Sequence, residues 1–157
     1  MDFDKAVETI LHNEGGYVFD SFDVGGETQF GISKRQYPDL DIKSLTREQA
    51  IEIYRRDYWE PLRPLLLPAR LRLCVFDAAV NQGITRAVRM LQGAVGAKQD
   101  GVLGPQTFEA AKIYGDYDAL SNLLELRLNH YAKLPHWPRF GVGWTKRLLS
   151  IAIESMR

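Results

Sequence analysis

His12–Ser33 reads HNEGGYVFDSFDVGGETQFGIS, and its start closes one kind of structure while its remainder opens another. Upstream, Phe3, Ala6, Val7, Ile10, Leu11 and Glu14 recur at helical spacing. Asp2 or Asp4 can cap the start of that helix, and Gly15-Gly16 stops it. Glu14 is then the last residue on the stripe facing the interior, where another aliphatic would be expected. From Tyr17 to Ile32 the helical period vanishes. Aromatic and β-branched residues flank Gly25-Gly26, a pattern that predicts a small hairpin or a ribbon of two to three strands.

Beyond this stretch the chain reads as helices. A short one is expected to start at Ser33. In SLTREQAIEIYRRDYWEPL, Thr46 and Gln49 have capping-box spacing, and Leu45 and Ala50 are placed as a hydrophobic staple. Ala50, Ile53, Tyr54, Asp57 and Tyr58 share a face of that helix. Pro61, Pro64 and Pro68 make the next connection non-helical. Leu71 to Gln82 predicts an apolar, central helix ended by Gly83, and Thr85 is expected to cap another that reaches about Val95. Gly104-Pro105 opens a helix with proline at its first position, and Tyr117 to Leu134 forms a further one. PHWPRFGVGW reads as a loop, and the last helix is expected from about Trp144 to Ser155.

The 157 residues, 45% hydrophobic, suit one domain with its own core. The one cysteine, Cys74, excludes an internal disulfide and a cysteine-based zinc site; lying in LRLCVFDAAV, it reads as a buried, inert thiol. His12, His130 and His136 have no metal-ligand spacing, so neither metal nor cofactor is expected. MDFDKAVETIL has neither the basic start nor the apolar run of a signal peptide or membrane anchor. The chain is therefore expected to be made in the cytoplasm, and to need a separate release route if it works outside. Net charge is zero but uneven: residues 1–31 hold seven acids and one base. Such asymmetry marks either an interaction surface or a solvated acidic face.

The position of Glu14 carries chemistry. A carboxylate at a helix C-terminus meets the negative end of the helix dipole. Burial and neighbouring acids also disfavour its charge. A carboxylic acid kept neutral beside an ionised partner is what acid catalysis on a glycosidic bond requires. Asp23 is the candidate partner, with Asp20 an equal alternative on composition. The Thr28 hydroxyl could orient a water, and Gly25-Gly26 leave room for a sugar ring to approach the backbone. Singly, a Glu before two glycines can merely end a helix, and an Asp near glycine is commonly a turn residue.

Together, Glu14-Gly15-Gly16-Tyr17, Asp23, Gly25-Gly26-Glu27-Thr28 and Phe30-Gly31-Ile32-Ser33 resemble the signature of glycoside hydrolase family 108, phage and prophage endolysins acting as N-acetylmuramidases. The trio is also similar to the Glu, Asp, Thr triad of phage-type lysozymes, which has one more residue between Asp and Thr. The second half resembles the same proteins' predicted peptidoglycan-binding region at Asn81, Gly83, Leu91-Gln92, Asp100-Gly101 and Gly104-Pro105-x-Thr107, and a further segment at Gly143-Trp144 and Arg147. The resemblance implies a mostly α, lysozyme-like α+β fold: a helical bundle, a small N-terminal β-hairpin lobe, and a cleft between two lobes. The first helix of the second half is apolar on most sides, which suits burial against the N-terminal lobe, so one catalytic unit is expected over 1–157, with a catalytic lobe at 1–68 and a helical lobe at 69–157. The resemblance also implies hydrolysis of the β-1,4 bond between N-acetylmuramic acid and N-acetylglucosamine, with Glu14 as general acid and Asp23 and Thr28 handling the water.

Other residues have two readings each. Tyr54, Tyr58 and Trp59 could stack on sugar rings or sit in the core, with Trp59 the one expected to be partly exposed. Asn81 and Gln82 could hydrogen-bond substrate or cap their helix. Asp77, in an apolar helix, needs a partner, either a hydroxyl or an arginine such as Arg147, and reads as structural. Arg70, Arg72, Arg86 and Arg89 suggest a basic surface. Neutral charge and the lack of a motif argue against nucleic acid, so an anionic cell-wall polymer or membrane surface is the expected partner beside peptidoglycan strands. A monomer is expected. A lytic transglycosylase and a non-catalytic wall-binding or regulatory module are the rival readings.

Overall fold

The computed structural model describes residues 1–14, 16–19 and 26–157, with 18 and 19 as backbone. The expectations placed on Gly15, Asp20, Asp23 and Gly25 lie outside the described residues.

Helix α1 spans Phe3–Glu14 and buries Phe3, Ala6, Val7 and Ile10, the expected stripe. Strands β1 (Val18–Phe19), β2 (Glu27–Gln29) and β3 (Ile32–Ser33) follow as one antiparallel sheet in chain order. Val18 pairs with Thr28, and Thr28 with Ser33. The β element is thus the three-stranded form of the expected ribbon. Ser33 ends β3 and opens hydrogen-bonded turns to Gln36 and Tyr37, where the sequence suggested a short helix.

Helix α2 (Arg47–Tyr54) begins with both halves of the capping box on Thr46 and Gln49, and Leu45 and Ala50 are buried beside it. The helical path then widens to an i→i+5 turn over Arg55–Trp59 before α3 (Glu60–Leu62). This extra residue breaks the 3.6-residue period and turns both Tyr58 and Trp59 inward. A 3-10 turn at Pro64–Leu66 leads to α4 (Ala69–Gln82), the central helix. Helices α1, α5 (Ile84–Ala94), α7 (Asp116–Ala132) and α8 (Trp137–Met156) all pack against α4. Its residues from Leu73 to Ala79 are all fully buried, as suits a helix covered on every side. Helix α6 (Pro105–Tyr114) packs on α7 and starts at the expected Gly104-Pro105. One hydrophobic cluster runs from Phe3 on α1 to Ile151 on α8.

Two helix starts differ from the sequence reading. Gly83, not Thr85, stands at the N-cap of α5. The segment read as an aromatic loop is the first turns of α8. Pro138 sits in the first turn, where its missing N–H costs nothing. Gly141 lies so close to Trp137 that an added Cβ would be 2.7 Å from the indole. That glycine serves packing rather than breaking the helix.

The loop between α5 and α6 is organised by Gln92, 1% exposed. Its amide donates to Asp100 Oδ1, Val102 O and Thr107 Oγ1 and accepts from Gly101 N–H. Gln92, Asp100, Gly101 and Thr107 are thereby accounted for as a structural network.

Candidate active site

Glu14 ends α1 with its side chain 18% exposed. Its neighbourhood is not the purely acidic one expected from the sequence. The Arg147 guanidinium on α8 places Nη2 2.7 Å from Glu14 Oε1 and 2.8 Å from Asp77 Oδ1. Arg147 Nε also donates to Asp77 Oδ1 at 2.9 Å. Asp77 is fully buried on α4 and is gripped from its other side by Arg127 of α7, at 2.5 Å. Burial alone would push the Asp77 carboxyl up, but the two guanidinium groups outweigh it and hold it below the ordinary carboxylate range. The same partnership more than offsets burial for the arginines and raises both of theirs. Asp77 therefore has the arginine partner its sequence context demanded, and a second one that the sequence did not reveal.

The β2–β3 turn closes over Glu14 from the other side. Phe30 takes a left-handed conformation (φ 52°) and Gly31 follows at φ 78°. The Phe30 carbonyl accepts a 2.7 Å hydrogen bond from Tyr54 Oη. A Cβ on Gly31 would lie 2.5 Å from Tyr54 Oη and 2.7 Å from Glu14 Cγ. Glycine is required here twice over, by backbone sign and by contact. The turn thus seats the sheet that carries Thr28 against the stem of Glu14.

The three aromatic residues proposed to stack on sugars take no such position. Tyr54, Tyr58 and Trp59 are 1%, 9% and 6% exposed. Trp59 packs edge-on against Phe3 and Phe76. Expected to be the most exposed of the three, it is a core residue, because the wide turn rotates it inward. Tyr54 serves the site indirectly, through Phe30. Burial pushes its hydroxyl well above the usual tyrosine range, and Glu14 adds to that rise.

Asn81 and Gln82 separate. Asn81 is exposed and accepts a short hydrogen bond from Tyr131 Oη, whose ring stacks on Trp144 with centroids 5.1 Å apart. Gln82 is buried, and its Oε1 accepts from Arg127 Nε at 2.8 Å. The exposed Asn81 amide thus sits against Tyr131, a buried ring that the sequence reading did not single out.

The expected four-arginine surface is dispersed. Arg70 pairs with Asp116 and lies over the Tyr117 ring, and Arg72 donates to the carbonyls of Met1, Leu65 and Leu67. The acids of α1 are likewise partly answered: Glu8 meets Arg47 and Asp4 meets Arg55, both at exposed positions. Among the described residues no helix is long and apolar enough to cross a membrane.

Comparison with known proteins adds to this geometry. The family model described as glycosyl hydrolase 108 matches residues 7–83. Among solved structures, the chain is similar to SagA of Brucella abortus, at 33% identity and a TM-score of 0.89, over 98% of this chain and 93% of that one. No curated protein sequence matches the chain.

Proposed function

Since the chain belongs to glycosyl hydrolase family 108 and has its lysozyme-like fold, and so is a glycoside hydrolase of the peptidoglycan-hydrolysing kind, we propose that it is an N-acetylmuramidase with Glu14 as general acid. The observation that carries this reading is the setting of Glu14. It is a partly exposed carboxyl at a helix end, with a glycine turn against its stem and a guanidinium against its oxygen.

In the proposed reaction, the Glu14 carboxyl gives its proton to the oxygen between N-acetylmuramic acid and N-acetylglucosamine. The bond from that oxygen to the sugar carbon breaks as water attacks the carbon. The carboxylate left on Glu14 then faces Arg147, a cation fixed in advance by Asp77, so the charge that develops meets a preorganised partner. Asp23, or Asp20 in its place, takes the proton of the attacking water, and Thr28 orients that water. Inversion at the sugar carbon is the favoured outcome, by analogy with phage-type lysozymes. Asn81 supplies an exposed amide for substrate, while Tyr54, Tyr58 and Trp59 support the site from within.

Residues 1–68 and 69–157 act as two lobes of one catalytic unit, a reading supported by the single core from Phe3 to Ile151. The biological role is that of a phage or prophage endolysin, made in the cytoplasm and reaching the wall through a separate membrane pore. The partner is the glycan strand, and the enzyme acts as a monomer.

Zymography on peptidoglycan with wild type and Glu14→Gln side by side tests the assignment. The variant should lose lysis while keeping its fold by circular dichroism. More than a few per cent residual activity would move the acid elsewhere. Mass analysis of released muropeptides separates the outcomes: reducing ends for hydrolysis, anhydro ends for a transglycosylase, and no fragments for a binding module.

A further inference from the structure

The turn between β2 and β3 carries a residue that its geometry disfavours. Gln29 pairs with Ile32, so Phe30 and Gly31 alone make the connection. Their φ angles are 52° and 78°. Two positive φ angles belong to the primed turn whose twist matches paired strands, and its favoured residues are Asn-Gly, Asp-Gly and Gly-Gly. Gly31 obeys that rule. A phenylalanine at the first position does not. Its Cβ crowds the backbone in the left-handed region, and a bulky residue stays there only when its surroundings hold it.

Three contacts hold this one. Gln29 Nε2 donates to the Leu45 carbonyl at 2.7 Å, which ties the hairpin stem to the segment before α2. The Phe30 side chain packs, partly buried, against the core. The Phe30 carbonyl accepts from Tyr54 Oη at 2.7 Å. Tyr54 is 1% exposed, and its ring packs against Tyr58 and Phe76 with centroids 5.8 and 6.4 Å away, so the hydroxyl comes from a fixed side chain. Burial first, and then Glu14, push that hydroxyl well above the usual tyrosine range, which keeps it a donor. The Phe30 carbonyl belongs to the planar peptide joining Phe30 to Gly31. The Tyr54 bond therefore orients the one peptide plane that lies wholly inside the turn.

That peptide leads straight onto the proposed acid. A Cβ on Gly31 would fall 2.7 Å from Glu14 Cγ, 2.9 Å from Glu14 Cδ and 2.5 Å from Tyr54 Oη. Arg147 Nη2 meanwhile holds Glu14 Oε1 at 2.7 Å. Glu14 is thus confined between a guanidinium fixed by Asp77 and a turn disfavoured by its own sequence. Relaxation of that turn would move Gly31 and free the Glu14 stem. A shift of about 1 Å in a reacting group can lower turnover about 100-fold. We propose that Tyr54 is a positioning residue for the acid: its hydroxyl latches the disfavoured Phe30–Gly31 turn against Glu14. This rests on the muramidase reading above. It gives a buried tyrosine an effect on turnover without contact to the sugar. A tyrosine that only filled the core would affect stability alone, whatever residue stood at position 30.

The test is a cycle of Tyr54→Phe and Phe30→Asn in the full-length protein. Tyr54→Phe keeps the ring and removes the latching bond. Phe30→Asn creates Asn-Gly, which favours the same turn unaided. With phenylalanine at position 30, Tyr54→Phe should lower kcat on purified sacculi about 30-fold and leave KM within about two-fold. With asparagine there, the same change should cost about three-fold or less. Carbon-13 relaxation of Glu14 Cγ reads the placement without substrate. Its motion should rise in Tyr54→Phe and return to the wild-type level in the double variant. Circular dichroism melts establish that each protein is folded at the assay temperature. Full kcat in Tyr54→Phe, a loss carried by KM, an equal loss in both backgrounds, or unaltered Glu14 motion would each overturn the proposal. The relaxation measurement is independent of turnover, so a failure of the muramidase reading would register in the Glu14→Gln zymogram alone.

Discussion

Replacing Arg127 by methionine tests whether the interior of the site is held by the ion-pair cluster. The Arg127 side chain is fully buried and donates to Asp77 Oδ2, Gln82 Oε1 and the Cys74 carbonyl. Methionine restores part of the apolar stem volume but none of the donors. Asp77 then keeps only Arg147, and the Gln82 oxygen loses its partner. Breaking a buried charge pair from one side costs about 3–5 kcal/mol. At a melting entropy of about 2.1 cal/mol/K per residue, 157 residues give ~0.33 kcal/mol/K, so the midpoint should fall by roughly 9–15 °C. Thermal melts at neutral pH followed by circular dichroism, and by calorimetry to check two-state behaviour, give the number. The same substitution in an Asp77→Asn background strands no charge, so its cost should be smaller by about 1–3 kcal/mol. A midpoint within about 3 °C of wild type, or an additive cycle, would refute the claim that this cluster supports the site.

Two further outcomes follow from the same geometry. Gly31→Ala adds a Cβ 2.5 Å from Tyr54 Oη and 2.7 Å from Glu14 Cγ at φ +78°, whereas Gly26→Ala, at φ +67°, meets nothing within 4 Å. Both should lose about 1–2 kcal/mol to the backbone, but only the Gly31 variant should also lose turnover, measured as kcat on purified sacculi. The Asp77 carboxyl is held below its ordinary value of 3.8 by Arg127 and Arg147 against the opposing effect of burial, so the folded state binds that proton more weakly than the unfolded chain. Its contribution to stability is complete above the unfolded value and is lost as pH falls through the lower folded one. Urea midpoints should thus drop below about pH 4 in the wild type, and less steeply in Asp77→Asn.

Much of this architecture was legible because it is local. The Thr46–Gln49 capping box, the stripe of α1 and the proline start of α6 each depend on neighbours a turn away. Asp77 was legible for a different reason: a carboxylate among apolar residues needs a partner, a hydroxyl or an arginine, and Arg147 is one of the two arginines that supply it. What the sequence hid was register and distance. Trp59 counts as outward-facing on an ideal helix, and only the wide turn at Arg55–Trp59 sends it inward. Gly141 and Gly143 look like loop residues until the Trp137 ring is seen to need the space at Gly141. Arg147 meets Glu14 from the far end of the chain, so the acids and helix dipole counted around Glu14 omitted its closest charge. Gln82 was suspected of touching substrate, but its half-used amide depends on Arg127 and could not be read from spacing.

The four charged side chains form a series graded by burial. Arg127 and Asp77 are 0% exposed, Arg147 is 11% and Glu14 is 18%. Each member is fixed by the one deeper than itself: Arg127 grips Asp77, Asp77 orients Arg147, and Arg147 faces Glu14. Such an arrangement lets the reactive group meet substrate while its partners are locked by packing. It also predicts that damage to stability and damage to chemistry run in opposite orders. Glu14→Gln should abolish turnover at little cost in melting temperature, since it alters the most exposed member. Arg147→Met should lower kcat about 100-fold with a smaller loss of stability than Arg127→Met. Arg147→Lys, keeping the charge, should recover part of kcat. Arg127→Met should cost the most in melting temperature yet retain measurable turnover in the fraction that stays folded. Melting temperature and kcat measured on these four proteins decide the matter. If kcat falls in proportion to stability along the series, the cluster is only a structural core, and Glu14 would owe nothing to the cation beside it.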